Sequence, residues 1–313
     1  MGVVHFAGLG KSPGAVTAGL SYLKNEKRDT FEEGEIIESV VIFTSPEIAN
    51  GTEPAYPGTA HNEYMDRTVR KNWTNRFKNS LDIVAEYLYR EVGEESFYVC
   101  EVNINDFSVC FDAVAKATLY FHRPGDVGKH IWGNLTGGSN ILNAALMQTA
   151  YLSGFIPRLY YTFVANIRDD GKYLQPFSRN GSEFDYREIY VLKTTFDERY
   201  RYILEELEQI GECWVSSEKL LSRLKGREPS SFSPLSLEVF RRDFLNTMPG
   251  ILRKGSRAEG QEDANKLGED GRNILKLLRS SLFKALLRQD VLTEDEIKTL
   301  TADLNIRKLE RPG

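Results

Sequence analysis

Val3-Val4-His5-Phe6-Ala7-Gly8-Leu9-Gly10-Lys11-Ser12-Pro13-Gly14 is the stretch on which the fold turns. Val3 to Ala7 is a short, almost wholly apolar run that stops at glycine, the pattern of a strand covered on both faces. Pro13 suits the first turn of a helix, where its missing amide costs nothing. Residues 15–24 then supply good helix formers. Buried strand, glycine turn and helix, in that order, open an α/β domain.

The same alternation continues outward. Residues 39–45, Ser-Val-Val-Ile-Phe-Thr-Ser, read as a second strand ending in the hydroxyls of Thr44 and Ser45. A surface connection with Gly51, Pro54, Pro57 and Gly58 follows. Residues 77–92 then place Leu81, Val84, Leu88 and Val92 on one side of a helix. Further strands are expected over 97–104, 131–135, 158–164 and 186–193, with helices over 107–121 and 141–152. This predicts a Rossmann-like, mostly parallel sheet with helices on both faces. Such sheets bind ligands beyond the carboxyl ends of their strands. Two glycine-rich turns fall there: the first loop, and Thr136-Gly137-Gly138-Ser139-Asn140 after strand four.

A chain of 313 residues is long for one core. The expected division is an α/β domain over 1–195 and a smaller, mainly helical domain over 196–313. The formal net charge of -5 argues against a protein that is basic all over. Cys100, Cys110 and Cys213 form no CxxC pair, so neither a zinc framework nor a disulfide framework is expected. His61 and His122 have no partners at ligand spacing, so no metal or other cofactor is expected, and His5 reads as a core residue. No secretory signal and no membrane-length apolar run is seen, which points to a cytoplasmic protein without a membrane partner.

Two familiar readings of the first loop fail on spacing. The dinucleotide fingerprint needs its third glycine one residue earlier than Gly14, where Pro13 stands. The Walker A pattern needs a glycine five places before Gly10, and none is there. What remains is physical. Gly8, Leu9, Gly10, Lys11, Ser12, Pro13 and Gly14 combine flexible backbone, a cation, a hydroxyl and the positive end of a helix. Thr136 to Asn140 offer a second set of free amides just before another helix. A plain strand-to-helix turn is the alternative for each loop.

Beyond residue 197 the pattern is helical, over 199–210, 216–224, 236–245 and 272–288, with a flexible polar loop expected over 255–271. From Lys219 to Arg257 nine basic residues face three acidic ones (Glu228, Glu238 and Asp243). A winged helix-turn-helix accounts for this, with 236–245 as recognition helix and a basic wing near 251–257. Arg241, Arg242, Arg253, Lys254 and Arg257 would then meet duplex DNA phosphates. A helical dimerisation module with a solvated basic face is the alternative.

Together, the motif Gly10-Lys11-Ser12-Pro13-Gly14 after strand one and Thr136-Gly137-Gly138-Ser139 after strand four resemble the CRISPR-associated Rossmann fold (CARF) sensors. The resemblance covers residues 1 to about 195. It implies a homodimer that binds cyclic oligoadenylate, with cyclic tetra-adenylate the expected ring, in type III CRISPR antiviral defence. Gly8 to Gly14, Thr44, Ser45, Asn134 and Thr136 to Asn140 would line the site. Asn134 stands where many members carry an acid, and Ser139-Asn140 where threonine and a basic residue are common. Some members cleave the ring without metal, by attack of the ligand's 2′-hydroxyl on the adjacent phosphate. Here Ser12, Arg168 and Lys172 would support that chemistry as a ring nuclease. Effector ribonucleases of the family carry R-x(4-6)-H in a separate helical domain. The match Arg123 to His130 lies in the sensor half, and no histidine follows it.

Overall fold

The strand β1 (Gly2–Leu9) is buried from Val3 to Leu9, which explains its unbroken run of apolar and small residues. The computed structural model describes residues 2–25, 36–53, 79–93, 96–122, 130–164, 184–255, 263–287 and 292–311. They form two units, Met1–Thr194 with Arg288–Gly313, and Thr195–Leu287.

In the first unit, β1 leads into α1 (Gly14–Asn25), β2 (Ile36–Thr44) and the short α2 (Pro46–Ala49). Then come α3 (Ser80–Tyr87), β3 (Ser96–Glu101), α4 (Phe107–Phe121), β4 (His130–Asn134), α5 (Asn140–Ser153), β5 (Arg158–Val164) and β6 (Phe184–Tyr190). The helix expected over 77–92 starts at Ser80, because the Asn79 side chain caps it by accepting from Leu81 N. It ends in a π-helical turn, Leu88–Val92, before Gly93. The third strand stops at Glu101 instead of 104. Asn103 bends the chain there by accepting from Asn105 N at 3.2 Å, and Asp106 caps α4.

The second unit contains α6 (Glu198–Ile210), β7 (Val215–Ser216), α7 (Ser217–Arg227), α8 (Pro229–Phe232) and α9 (Leu237–Asp243). A hairpin of β8 (Leu252–Lys254) and β9 (Ala264–Leu267) follows, then α10 (Glu269–Arg279) and α11 (Ser281–Leu287). Its strands form a small antiparallel sheet in the order β7-β9-β8, beside a core that includes Leu220, Leu224, Phe232, Phe240 and Leu275. The expected loop over 255–271 therefore contains a strand and the start of a helix. Its polar composition hid the burial of Ala264, Asn265 and Leu267. The single helix expected over 272–288 is broken at Ser280, whose extended backbone and side chain, accepting from Phe283 N at 3.1 Å, restart it as α11.

The chain then returns to the first unit as α12 (Glu294–Leu300) and β10 (Ile306–Lys308). This corrects the expected division, in which everything after 196 was one domain. Ile306, Arg307 and Lys308 pair antiparallel with Cys100, Val99 and Tyr98, and Leu309 joins the first unit's core at 3% exposure. Nothing in so short and charged a strand announces this.

The first unit's sheet has seven strands in the order β10-β3-β2-β1-β4-β5-β6. Strands β1 to β5 run parallel, and the two edges, β6 and β10, run antiparallel. Ala7, Leu9, Val40 and Ile42 pack with α1 and α3 on one face. On the other, Phe6 meets Phe43 and Phe121 edge-on. The architecture is the expected α/β, Rossmann-like one. Its topological switch point lies between β1 and β4, where ligands bind in sheets of this kind.

Candidate functional site

Both glycine turns lie at that switch point, since β1 and β4 are neighbours. Helix α1 winds tightly from the first: Ala15 N donates to Ser12 O at 3.1 Å, and Val16 N and Thr17 N donate to Pro13 O. The turns touch backbone to backbone. A methyl at Gly8 would sit 2.8 Å from Gly138 Cα, and one at Gly137 would overlap the Gly8 carbonyl oxygen. Gly138 itself has φ 79°, a conformation that favours glycine. Gly10 is different: an added Cβ there meets nothing within 4 Å among the described residues. Gly8, Gly137 and Gly138 thus serve contact between the loops, while Gly10 makes no such contact with the described residues.

Most of the expected ligand hydroxyls are committed internally. Thr44 Oγ1 donates to Leu9 O at 2.8 Å, locking the ends of β1 and β2. Thr136 Oγ1 accepts from Thr162 N at 2.9 Å and shares a hydrogen bond with the Thr162 hydroxyl. Ser139 Oγ donates to Ile104 O at 2.7 Å and caps α5 by accepting from Leu142 N. Ser45 precedes α2 and is nearly buried. A backbone hydrogen bond first, and then the Ser45 hydroxyl, hold the Glu47 carboxyl below its usual range.

Asn134 joins the two loops. It is fully buried, donates through Nδ2 to Ala15 O at 3.0 Å, and accepts at Oδ1 from Thr136 N at 2.8 Å. An amide supplies a separate donor and acceptor at one end, whereas an ionised carboxylate only accepts. Asn134 is therefore a fitted part of the frame that joins the two loops.

The partly exposed first loop and the amides at two helix starts remain for a ligand. Gly10, Lys11 and Ser12 are partly exposed. Among the described residues, the Ser12 hydroxyl has no hydrogen-bond partner, nor do the amides of Ser12, Gly14, Ser139, Asn140 and Ile141. These amides begin α1 and α5, where unsatisfied N–H groups and the helix dipole favour anions. Lys11 forms an ion pair with Glu53. The arrangement can receive phosphate oxygens without metal. Among the described residues, no group of three or more His, Cys, Asp or Glu is placed to hold a metal ion.

Sequence reasoning missed Glu53, Thr162 and Asn143. Asn143 Nδ2 donates to Leu135 O at 2.9 Å, and its Oδ1 is buried without a partner among the described residues. The one available signal was its place in the first turn after Ser139. His5 is in the core, as read, but incompletely satisfied. Its Nε2 meets the Tyr160 hydroxyl while Nδ1 has no partner among the described residues, and burial pushes its pKa down to about 3. Arg168 and Lys172 lie outside the described residues, as do Arg257 and Arg123 to Lys129.

In the second unit, much of the expected basic face is neutralised. Arg241 pairs with Asp263 and Arg242 with Asp243. Lys254 donates to Asn265 Oδ1 at 3.0 Å. Arg223 and Arg227 hold the buried Glu205 and Glu206 of α6. Arg253 is exposed.

No family model matches the chain. An uncharacterized protein of Archaeoglobus fulgidus is 24% identical over 196 residues, 52% of this chain and 57% of the relative. Among solved structures, Enterococcus italicus Csm6 bound to cyclic hexa-2′-fluoro-hexa-dAMP aligns with 80% of this chain and 54% of its own, at 14% identity and a TM-score of 0.35. That score is too low to carry the fold, which rests here on strand order and direction. The chain spans little more than half the length of either protein. Among the described residues, no helix is long and apolar enough to cross a membrane.

Proposed function

We propose that the chain is a homodimeric sensor of cyclic oligoadenylate in type III CRISPR defence, with cyclic tetra-adenylate as its ligand. One observation carries this reading. Gly8 packs on Gly137 and Gly138 at the switch point, so two helix N-termini and the Ser12 hydroxyl stand ready for phosphates beside the partly exposed Gly10. The paired motifs Gly10 to Gly14 and Thr136 to Ser139 supply the ligand class, and the geometry supplies the capacity for anions. Coupling to DNA through residues 195–287 completes the proposal. The order α6, β7, α7, α9, β8, β9 supports a winged helix-turn-helix, with α9 as recognition helix.

A ring-nuclease reading is favoured by the Ser12 hydroxyl, which follows Lys11 and has no hydrogen-bond partner among the described residues. In that reaction the ligand's 2′-hydroxyl attacks the adjacent phosphorus and loses its proton. The 5′-oxygen leaves and is protonated, so each cut yields a 2′,3′-cyclic phosphate and a 5′-hydroxyl. Titration of the purified protein with cyclic tetra-adenylate and cyclic hexa-adenylate, followed by chromatography of the mixture, tests both readings. Binding with intact ring supports the sensor, and shortened linear products that fall with Ser12→Ala support the nuclease. No heat and no shift in unfolding temperature with either ring would overturn the ligand assignment.

A further inference from the structure

The second unit places one carboxylate, Asp263, against the guanidinium of Arg241 and within electrostatic range of Lys254. Asp263, just before β9, has φ 69°, and among the described residues it is the one non-glycine with positive φ. Asp tolerates that conformation better than most residues. Its Oδ1 accepts from the Ser217 hydroxyl at 2.7 Å, and its Oδ2 pairs with Arg241 of α9. Its carbonyl accepts from Ser217 N at 3.1 Å, at the start of α7. Asn265 Nδ2 donates to Ser217 Oγ at 3.0 Å, and Asn265 Oδ1 accepts from Lys254. Ser217 and Asn265 are each 1% exposed. They make a rigid polar floor under the charges. Burial would raise the Asp263 carboxyl, but hydrogen bonds from Arg241 and Ser217 and the charges of Arg241 and Lys254 hold it below its usual value.

Arg241 is incompletely served by this one carboxylate. Arg241 Nε is buried without a partner among the described residues. The Arg241 and Asp263 side chains are 42% and 36% exposed, so solvent and competing anions reach the pair. A phosphodiester, like a carboxylate, offers two oxygens to a guanidinium.

We propose that Asp263 is an internal counter-ion standing where a nucleic-acid backbone phosphate binds, and that duplex DNA engages Arg241 and Lys254 by displacing it. This rests on the DNA-binding reading above. Asp263 then sets how tightly the module binds at a given salt concentration. It limits non-specific attachment, because a phosphate must compete with a resident anion.

The test is fluorescence anisotropy of the full chain with a labelled duplex of mixed sequence, across a series of salt concentrations. Asp263→Asn keeps the shape and tolerates positive φ. It is expected to bind on the order of tenfold more tightly at low salt, with a log–log salt slope steeper by about 1. That gain should vanish when Arg241→Ala and Lys254→Ala are added. If wild type binds and Asp263→Asn binds no more tightly, the inference falls alone. If neither binds at low salt, the DNA reading falls and takes the inference with it. Should Asp263→Asn fail to fold, Arg241→Ala with Lys254→Ala in the wild-type background decides. An unchanged salt slope there overturns the proposal, and a slope shallower by about 2 sustains it.

Discussion

The carbonyl oxygen of Gly8, at the end of β1, lies against Cα of Gly137 in the turn after β4, leaving no room for a methyl group between them. Two strands adjacent in the sheet therefore bring their loops together only because both residues lack a side chain. Gly137→Ala should lower stability by about 1–3 kcal/mol, the usual cost of overpacking a close-packed contact. Gly10→Ala, where an added methyl meets nothing within 4 Å among the described residues, should change stability by about 0.5 kcal/mol or less. Urea unfolding of both variants checks the contrast, and equal losses would contradict the loop contact.

Asn134 carries a more specific expectation. Asp at this position keeps the size but presents an acceptor to Ala15 O, where the structure has a donor. Asn134→Asp should cost about 1–3 kcal/mol at pH 7. Part of that should return in acid, where the protonated carboxyl regains a donor. Unfolding midpoints at pH 7 and pH 5 compare the two states, and a variant as stable as wild type at pH 7 would count against the bridge.

His5 makes stability depend on pH with a definite sign. Its pKa is about 3 in the fold, lowered by burial, against 6.5 for the free side chain. On acidification the unfolded chain takes up the proton first. Stability should therefore fall as pH drops from 6.5 towards 3, by about 1.4 kcal/mol per pH unit, and this contribution is absent above 6.5. His5→Gln removes the titrating group, so its stability curve should be flatter over that window. Parallel slopes for the two proteins would show that His5 is not the source.

The C-terminal segment is expected to be structural for the first unit. Leu309 is 3% exposed in its core, so Leu309→Ala should cost about 2–5 kcal/mol. Arg307 meets Glu101 and Ala49 O at the partly exposed sheet edge, and Arg307→Ala should cost about 1 kcal/mol or less. Thermal unfolding distinguishes them, and tolerance of Leu309→Ala would detach this segment from the core.

Much of the first unit could be read directly from local pattern. Val3 to Ala7 (His5 apart) and Val40 to Phe43 are apolar because parallel strands are covered on both faces, and burial of that kind marks the residues themselves. The placement of the two glycine turns at strand ends could be read in the same way. Other features depend on groups distant in the chain. The sequence names Thr44, Thr136 and Ser139 as hydroxyls but not their partners Leu9, Thr162 and Ile104, so internal ties and ligand contacts look alike. The same holds for Arg241 and Asp263. A run of basic residues reads as a free charged face until folding returns an acid from 22 positions away.

The sequence alone determined the alternation of strand and helix, and hence a mostly parallel sheet with two glycine turns at its carboxyl edge. Periodicity and glycine act locally, so they are written in the residues that obey them. Only the tertiary structure decided that β10 completes the sheet beside β3, that Gly8 rests on Gly137 and Gly138, and that among the described residues the Ser12 hydroxyl has no partner while the nearby Thr44, Thr136 and Ser139 hydroxyls do. Each of these depends on which distant groups share a small space, and that is settled by packing and hydrogen-bond satisfaction across the whole unit.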